Sequence, residues 1–361
     1  MIGLGFAGAT AAMLLSEKGF AVTAVDSAPF AGGGCKTHFW GGHPYTLGPR
    51  YFATADESLF AFLDRFVPLR RIPDHEFLTF VEGDSGFYSY PMHEDDLPKM
   101  PDADTIRAEL AACDPVRPTN MEEHWLGTVG PTLYSKFVKT YSMKMWNVRS
   151  NRELDAGSAW PAGAPLRSGP RAAWPDLISA FPLAANGYDD FFPRALDGVD
   201  VHLGTKIEAF DVEKSRVRIG ETWHAFDVIV STISPEHLLQ GAFGPLRWMG
   251  REVWKLVLPV AEVFPPNVHA IYYANAEPFT RVVETKKFYR HESPSTLLAI
   301  EIPSTKNKLI PFANAADRAL AQRYLDALPA RVFSIGRSGK YDYGIGIAES
   351  IRDAMDVAAA L

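Results

Sequence analysis

Gly3-Leu4-Gly5-Phe6-Ala7-Gly8 opens a run that continues through Ala9-Thr10-Ala11-Ala12-Met13-Leu14-Leu15-Ser16-Glu17-Lys18-Gly19 and closes with Phe20-Ala21-Val22-Thr23-Ala24-Val25-Asp26. The middle part reads as a helix ended by glycine, and the last part as a short apolar strand ending on an acid. Glycine turn, helix, strand and acid in that order form the dinucleotide fingerprint of a Rossmann-like α/β fold. Each position has a physical task. Gly3 permits the tight turn, Gly5 lets the backbone approach a pyrophosphate, and Gly8 lets the helix pack close to the strand. The pyrophosphate then meets the positive end of the helix, at Phe6 and Ala7. Asp26, with Ser27 beside it, would accept hydrogen bonds from ribose hydroxyls. Only two residues precede Gly3. That is short for a first strand, so a native start a few residues earlier is expected.

A second glycine cluster, Gly32-Gly33-Gly34, follows soon after the acid. Such a cluster looks like FAD-dependent proteins, where it lies against the flavin-side phosphate and ribityl chain; a flexible loop is the plainer alternative. Composition sets outer bounds. The chain has 361 residues, 47% hydrophobic and 22% charged, which excludes global disorder. A net charge of -7 gives no general basic field, and no nucleic-acid partner is expected. Cys35 and Cys113 are far apart and outside any CxxC spacing, which argues against a disulfide framework and a structural zinc site. His38, His43 and Cys35 lie near the glycine loop, but their spacing fits no standard metal site, and no metal is expected. Neither a bilayer-spanning run nor a signal peptide is visible, so a cytoplasmic enzyme is expected.

Further along, residues 56–66 carry helical spacing, and Phe77–Val81 with Gly86–Tyr90 reads as a hairpin. From Asp104 to Trp146 the period is helical. Residues 157–175, rich in Pro, Gly and Ala, read as an irregular loop or lid. Residues 199–203, 207–212 and 217–219 read as a β-meander. Residues 226–232 read as a buried strand returning to the cofactor sheet. Trp254–Val263 and Thr296–Ile302 suggest a second, antiparallel sheet, and a late strand at 332–337 precedes a helix over 348–361. The expected architecture is α/β: a discontinuous Rossmann-like FAD-binding domain (1–75, 190–235, 315–361), an inserted helical subdomain with its lid (94–175), and an antiparallel β-sheet subdomain (76–93, 176–189, 236–314).

In that order the residues resemble the UDP-galactopyranose mutase family along nearly the whole chain. The likeness begins with the GxGxxG and the triple glycine. Leu47-Gly48-Pro49-Arg50-Tyr51-Phe52 is similar to the family's Gly-Pro-His-hydrophobic-Phe segment beside the flavin. Residues 129–146, ending Tyr141-Ser142-Met143-Lys144-Met145-Trp146, are similar to its helix ending in Tyr-x-x-Lys-x-Trp. Gly187-Tyr188 and residues 199–204 match its strand before the adenine-binding turn. Residues 279–288 look like its Tyr-Thr-Arg-Ile-x-Glu-x-Lys-x-Phe strand, and Gly336-Arg337 with Tyr341-Asp342-Tyr343 is similar to its C-terminal Gly-Arg and Tyr-x-Tyr.

The resemblance implies FAD, active when reduced, and a nucleotide-diphospho-sugar substrate of the UDP-galactose kind. Flavin N5 attacks the anomeric carbon and displaces the diphosphate; the sugar recloses through a different hydroxyl, and the diphosphate returns. The cofactor then carries the covalent chemistry, which fits the lack of a Ser-His-Asp set. It also implies roles. Arg281 holds the leaving diphosphate, with Tyr343 and Tyr341 adding hydroxyls. Tyr141 stacks on the base, Trp146 lines the sugar pocket, and Arg167 closes over the phosphates from the lid. Pro49, Arg50, Gly336, Arg337, Gly344 and Ile345 lie on the flavin side, and Arg281, Arg50 and Tyr343 form the catalytic set. For the aromatics at helical spacing, plain core packing is the rival reading. The resemblance leaves a homodimer open.

The departures fall on the substrate side. Arg50 stands in place of the family's flavin-side histidine, and arginine does not deprotonate in proteins. The second diphosphate arginine falls near Met249, with Arg247 or Arg251 as substitutes. Leu309-Ile310 replaces a tyrosine position, and Ile345 an acid. Two rivals follow: an FAD oxidoreductase of the amine-oxidase-like class, and a non-catalytic nucleotide-binding paralogue.

Overall fold

The computed structural model describes residues 1–114, 117–158 and 166–361. The N-terminal helix, Phe6–Glu17, begins at once after the glycine turn. It ends where Gly19, at φ +91°, turns the chain, with its N–H on Ser16 O at 2.9 Å. The strand after it is shorter than the apolar text implies, only Thr23–Val25. The first strand is reduced to a single residue, Ile2, bridging Val25 on one side and Ser231 on the other. Around it the cofactor sheet is parallel: Asp200–His202, Thr23–Val25, Ile2, Ile229–Ser231 and Val332–Ser334. The C-terminal helix, Ile347–Ala360, packs on the N-terminal one. The buried strand read at 226–232 thus joins the cofactor sheet as Ile229–Ser231, and the late strand, Val332–Ser334, pairs beside it. Asp200–His202 does not belong to the meander. It pairs with Thr23–Val25, and Ile207–Asp211, Arg216–Ile219 and Thr222–Ala225 form the meander without it.

The second layer is a seven-stranded sheet in the order Ile310–Pro311, Trp248–Leu258, Thr296–Ser304, Arg281–Glu284, Val268–Tyr273, Glu76–Val81, Gly86–Tyr90. The expected purely antiparallel sheet is corrected to a mixed one, because Glu76–Val81 runs parallel to Val268–Tyr273. The 176–189 segment also leaves this sheet: Ile178–Pro182 pairs with Phe52–Thr54 and Leu69–Arg71 in a small sheet of its own. Helices Ala103–Ala112 and Met121–Leu133, with the turns running on to Trp146, form the inserted helical unit. Inside it Gly130, at φ +79°, and Pro131 make a kink. Of the 157–175 lid, residues 159–165 lie outside the described residues.

Phe6 ties the glycine turn to the rest. Its ring packs on Phe191 (4.9 Å), Phe192 (5.2 Å) and Tyr188 (5.4 Å). Such pairs are each worth roughly 0.5–1.5 kcal/mol beyond area burial, so the helix start is held firmly under its loop. Among the described residues no helix is long and apolar enough to cross a membrane.

Candidate active site

Between the two sheets and the helical unit lies a cleft of about 1450 Å³. It gathers most of the residues singled out from the sequence: Gly3, Gly5, Phe6, Ala7, Asp26, Ser27, Gly32–Gly34, Pro49, Arg50, Tyr141, Trp146, Arg281, Gly336, Arg337, Tyr341, Tyr343, Gly344 and Ile345. Gly8 is set back from the wall. A Cβ there would meet Gly3 O at 1.9 Å, so its task is close packing of helix on turn.

The cofactor end has a cradle shaped by what it lacks. A Cβ on Gly5 would meet nothing within 4 Å, whereas one on Gly3 would strike Thr232 Oγ1 at 2.3 Å. Gly33 packs against the other side of the turn, its built Cβ 3.4 Å from Gly5 Cα. No side chain caps the helix Phe6–Glu17, so its first-turn N–H groups are left for a ligand. Asp26 is held by Leu4 N–H (2.7 Å) and Ala28 N–H (2.8 Å), which leaves acceptor capacity for hydroxyls. Open space above Gly5, uncapped donors and a fixed carboxylate suit a dinucleotide.

Arg50 crosses toward this cradle. Its Nε donates to Gly34 O and its Nη2 to Leu47 O, both at 2.8 Å. Burial lowers its guanidinium to about 10, still far above neutrality. Beside it, burial pushes the Cys35 thiol up. Arg337 Nε donates to Ile345 O at 2.8 Å, and its guanidinium lies 5.5 Å from the Tyr343 ring.

The other end is organised by Glu301. Arg281 reaches Glu301 Oε2 with Nε (3.1 Å) and Nη2 (2.7 Å), and donates through Nη1 to Tyr272 OH at 3.1 Å. Arg251 Nη1 meets the same oxygen at 2.7 Å. Sheet register produces this. Glu301 lies opposite Arg281 on one side and opposite Val253 on the other, two residues from Arg251. The Glu301 side chain is 2% exposed. Burial would raise its carboxyl, but the two guanidiniums outweigh that and hold it below the ordinary glutamate range. Among the described residues Arg251 Nε has no hydrogen-bond partner. Gly48, at φ +88°, leaves room for this group, since a Cβ there would sit 2.7 Å from Arg251 Nη1. Two cations on one carboxylate leave a positive wall with donors to spare.

Aromatic residues complete the cleft. Trp146 packs edge-on against Phe312 (5.7 Å) and Tyr343 (5.8 Å), and Tyr343 is 38% exposed. Tyr141 lies 5.6 Å from Tyr272, and burial pushes its hydroxyl well above the usual tyrosine range. Tyr51 packs between His75 and Trp174, and its hydroxyl has no hydrogen-bond partner among the described residues.

Two assignments are corrected. The Tyr341 hydroxyl accepts from Phe312 N–H at 3.1 Å and donates to Arg247 O, so it braces the wall and has no free donor for a diphosphate. Arg167 is not in the cleft wall; it sits in a short strand beside His93 and donates to Ala173 O at 2.8 Å. Of the two substitutes for the second arginine, Arg251 faces the cleft, while Arg247 turns outward, doubly hydrogen-bonded to Asp317. Leu309 and Ile345 line the cleft as apolar side chains. The sequence reading missed Glu301, Tyr272 and Tyr51. An acid inside the apolar text of Thr296–Ile302 was the available signal for the first. His43 hydrogen-bonds His291 Nε2 (2.8 Å) and Ser295 Oγ (2.9 Å), outside the cleft.

Fold and cleft define a protein of the Rossmann dinucleotide-binding class whose glycine turn faces a second sheet bearing an arginine pair. The NAD(P)-binding Rossmann-like domain profile matches residues 1–66. The profile of the UDP-galactopyranose mutase family matches residues 136–343, and the chain belongs to that family. It is thereby an isomerase of the sugar-nucleotide mutase type. A dTDP-fucopyranose mutase of Escherichia coli is 25% identical over 305 residues, 80% of this chain and 76% of the relative. A probable UDP-galactopyranose mutase of Klebsiella pneumoniae is 21% identical over 385 residues, 98% of this chain and 93% of the relative. The crystal structure of a reduced UDP-galactopyranose mutase superposes with a TM-score of 0.83 at 16% identity, covering 99% of this chain and 92% of that one, and shares the fold.

Proposed function

We propose that the protein interconverts the pyranose and furanose forms of a nucleotide-diphospho-sugar, with FAD in its reduced form as cofactor. The observation that carries this reading is the Arg251–Glu301–Arg281 group, set in the same cleft as the glycine cradle. Gly3, Gly5, Phe6 and Ala7 form the seat for the FAD pyrophosphate, with Gly8 packing the helix on the turn behind it, and Asp26 with Ser27 the seat for its ribose. Gly32–Gly34, Pro49, Arg50, Gly336, Arg337, Gly344 and Ile345 wall the flavin side. Reduced FAD, when bound, supplies a nucleophilic nitrogen, N5, for the anomeric carbon.

The chain's own residues do the positioning. Arg281 and Arg251 hold the diphosphate, each charge-assisted bond being worth about 1.5–3 kcal/mol. Retaining that group in the cleft lets the same diphosphate return, which makes the net conversion an isomerisation rather than a hydrolysis. Tyr343 adds a hydroxyl from the edge, Tyr141 a stacking face for the base, and Trp146 an apolar wall for the sugar. Together the aromatics exclude water, against which an activated anomeric carbon must be protected. The names of the two relatives support a nucleotide-sugar and give two candidates.

The test is to load the protein with FAD, reduce it with dithionite, and incubate it with UDP-galactopyranose, dTDP-fucopyranose and related nucleotide-sugars. A furanose product from at least one of them, and only after reduction, is expected. No ring-contracted product from any would overturn the reading.

A further inference from the structure

Among the described residues, seven Lys and Arg side chains line the cleft: Arg50, Lys206, Arg251, Arg281, Lys308, Arg318 and Arg337. Lys206, Lys308 and Arg318 are paired with Glu208, Glu236 and Asp155, and Arg251 with Arg281 shares Glu301. Among the described residues, Arg50 and Arg337 have no carboxylate within ion-pair distance. Arg50 is the more telling of the two. Its plane is fixed by two neutral carbonyls, Gly34 O and Leu47 O, and the titratable groups acting on it are the Cys35 thiol, Arg337, Arg251 and Glu301. Two of these four are further cations, and Glu301 is already bound by Arg251 and Arg281. A cation taken out of water without a counter-charge is strongly disfavoured, so a bound anion is what completes this wall.

The location narrows the anion. Arg50 is hydrogen-bonded to Gly34, in the glycine segment that packs on the Gly5 turn, whereas Arg251 and Glu301 act on it only through space. We propose that Arg50 is a fixed counter-cation for the cofactor, holding reduced flavin as its monoanion across the whole pH range in which a histidine at that position would titrate. This rests on the flavin reading above and adds to it the charge state of the cofactor. The reduction then takes two electrons, from dithionite in the assay, and one proton per flavin. An uncharged reduced flavin would take two protons. Arginine suits the task because its guanidinium, even lowered to about 10 by burial, keeps its proton throughout that range.

The test is a spectroelectrochemical titration of the FAD-loaded protein between about pH 5 and 8. One proton per two electrons predicts a fall of about 30 mV per pH unit throughout, the value of a tenfold change for a two-electron couple. Arg50→Met is expected to lower the potential by more than that same tenfold, about 30 mV. Its slope should also steepen toward twice the wild-type value at the acid end. Arg50→Lys, which keeps the charge, should stay close to the wild type, and Arg50→His should show a break in slope within the range. The wild-type slope decides the matter even if Arg50→Met does not fold, since a doubled slope at the acid end overturns the proposal. So does an Arg50→Met protein with full flavin content and an unchanged potential, most plainly if it has lost UDP binding. A wild-type protein that takes up no FAD overturns the flavin reading itself, a distinct result.

Discussion

Valine at position 5 should remove the dinucleotide and leave the fold. Gly5 sits at φ -75° and ψ -169°, ordinary extended backbone that a β-branched residue adopts without strain. Its Cβ would enter open space, with nothing within 4 Å. The cost to the apoprotein is therefore the weaker helix N-cap, about 1 kcal/mol. The effect on binding is much larger, because the branched side chain stands where a pyrophosphate must approach the uncapped helix start. Losing two charge-assisted hydrogen bonds at about 1.5–3 kcal/mol each gives about 3–6 kcal/mol, or roughly 10²–10⁴-fold in Kd. The assay is FAD fluorescence quenching with apoprotein, run beside a thermal melt without FAD. Gly8→Ala is the contrasting control. Its Cβ would collide with Gly3 O at 1.9 Å, so it should lower the melt of the apoprotein itself. A Gly5→Val protein that binds FAD within threefold of the wild type would show that the cradle has been misassigned.

Arg281→Ala should cut turnover by roughly 10²–10⁴-fold while flavin content is unchanged, since two charge-assisted bonds to the diphosphate are lost; turnover within threefold of wild type removes Arg281 from the mechanism. Arg247→Ala should leave turnover as it is, because this guanidinium is paired with Asp317 outside the substrate wall, whereas Arg251→Ala should impair it; the reverse pattern in a kinetic comparison would exchange their roles. Glu301→Gln should lower stability by about 3–5 kcal/mol at neutral pH, as two guanidiniums lose their shared carboxylate. The folded-state carboxyl of Glu301 is depressed, so its contribution is present above the ordinary glutamate range and is lost as pH falls through the depressed value. Denaturant melts of wild type and variant should therefore converge in acid, and a gap that is constant with pH would contradict the pairing.

The cofactor half was legible because its code is local. Gly3, Gly5, Gly8 and Asp26 act through spacing within one turn, one helix and one strand, and the structure sets all but Gly8 in the cleft wall. The substrate half depends on register between distant strands. Nothing near Arg281 in the sequence says that Glu301 lies opposite it, or that Arg251 reaches the same oxygen. In the sequence Asp200–His202 reads as part of the meander because it precedes those strands directly, whereas its partner is the distant Thr23–Val25. Tyr341 and Tyr343 look equivalent in a Tyr-x-Tyr segment. The backbone at Tyr341, however, has φ +53°, and this turn sends one ring to Trp248 and the other to Trp146. Arg167 was read with the Pro/Gly-rich stretch before it, but Leu166–Arg167 is held as a strand against Met92–His93.

Under the proposed function the cofactor lends its reduced form to an isomerisation and gets it back. The most direct measurement is an anaerobic count of product against electrons: FAD-loaded protein is reduced once, excess nucleotide-sugar is added, and flavin absorbance and furanose are followed together. Many furanose molecules per flavin, with the flavin still reduced at the end, is the predicted result. Flavin reoxidised in step with product, one equivalent for one, would contradict it.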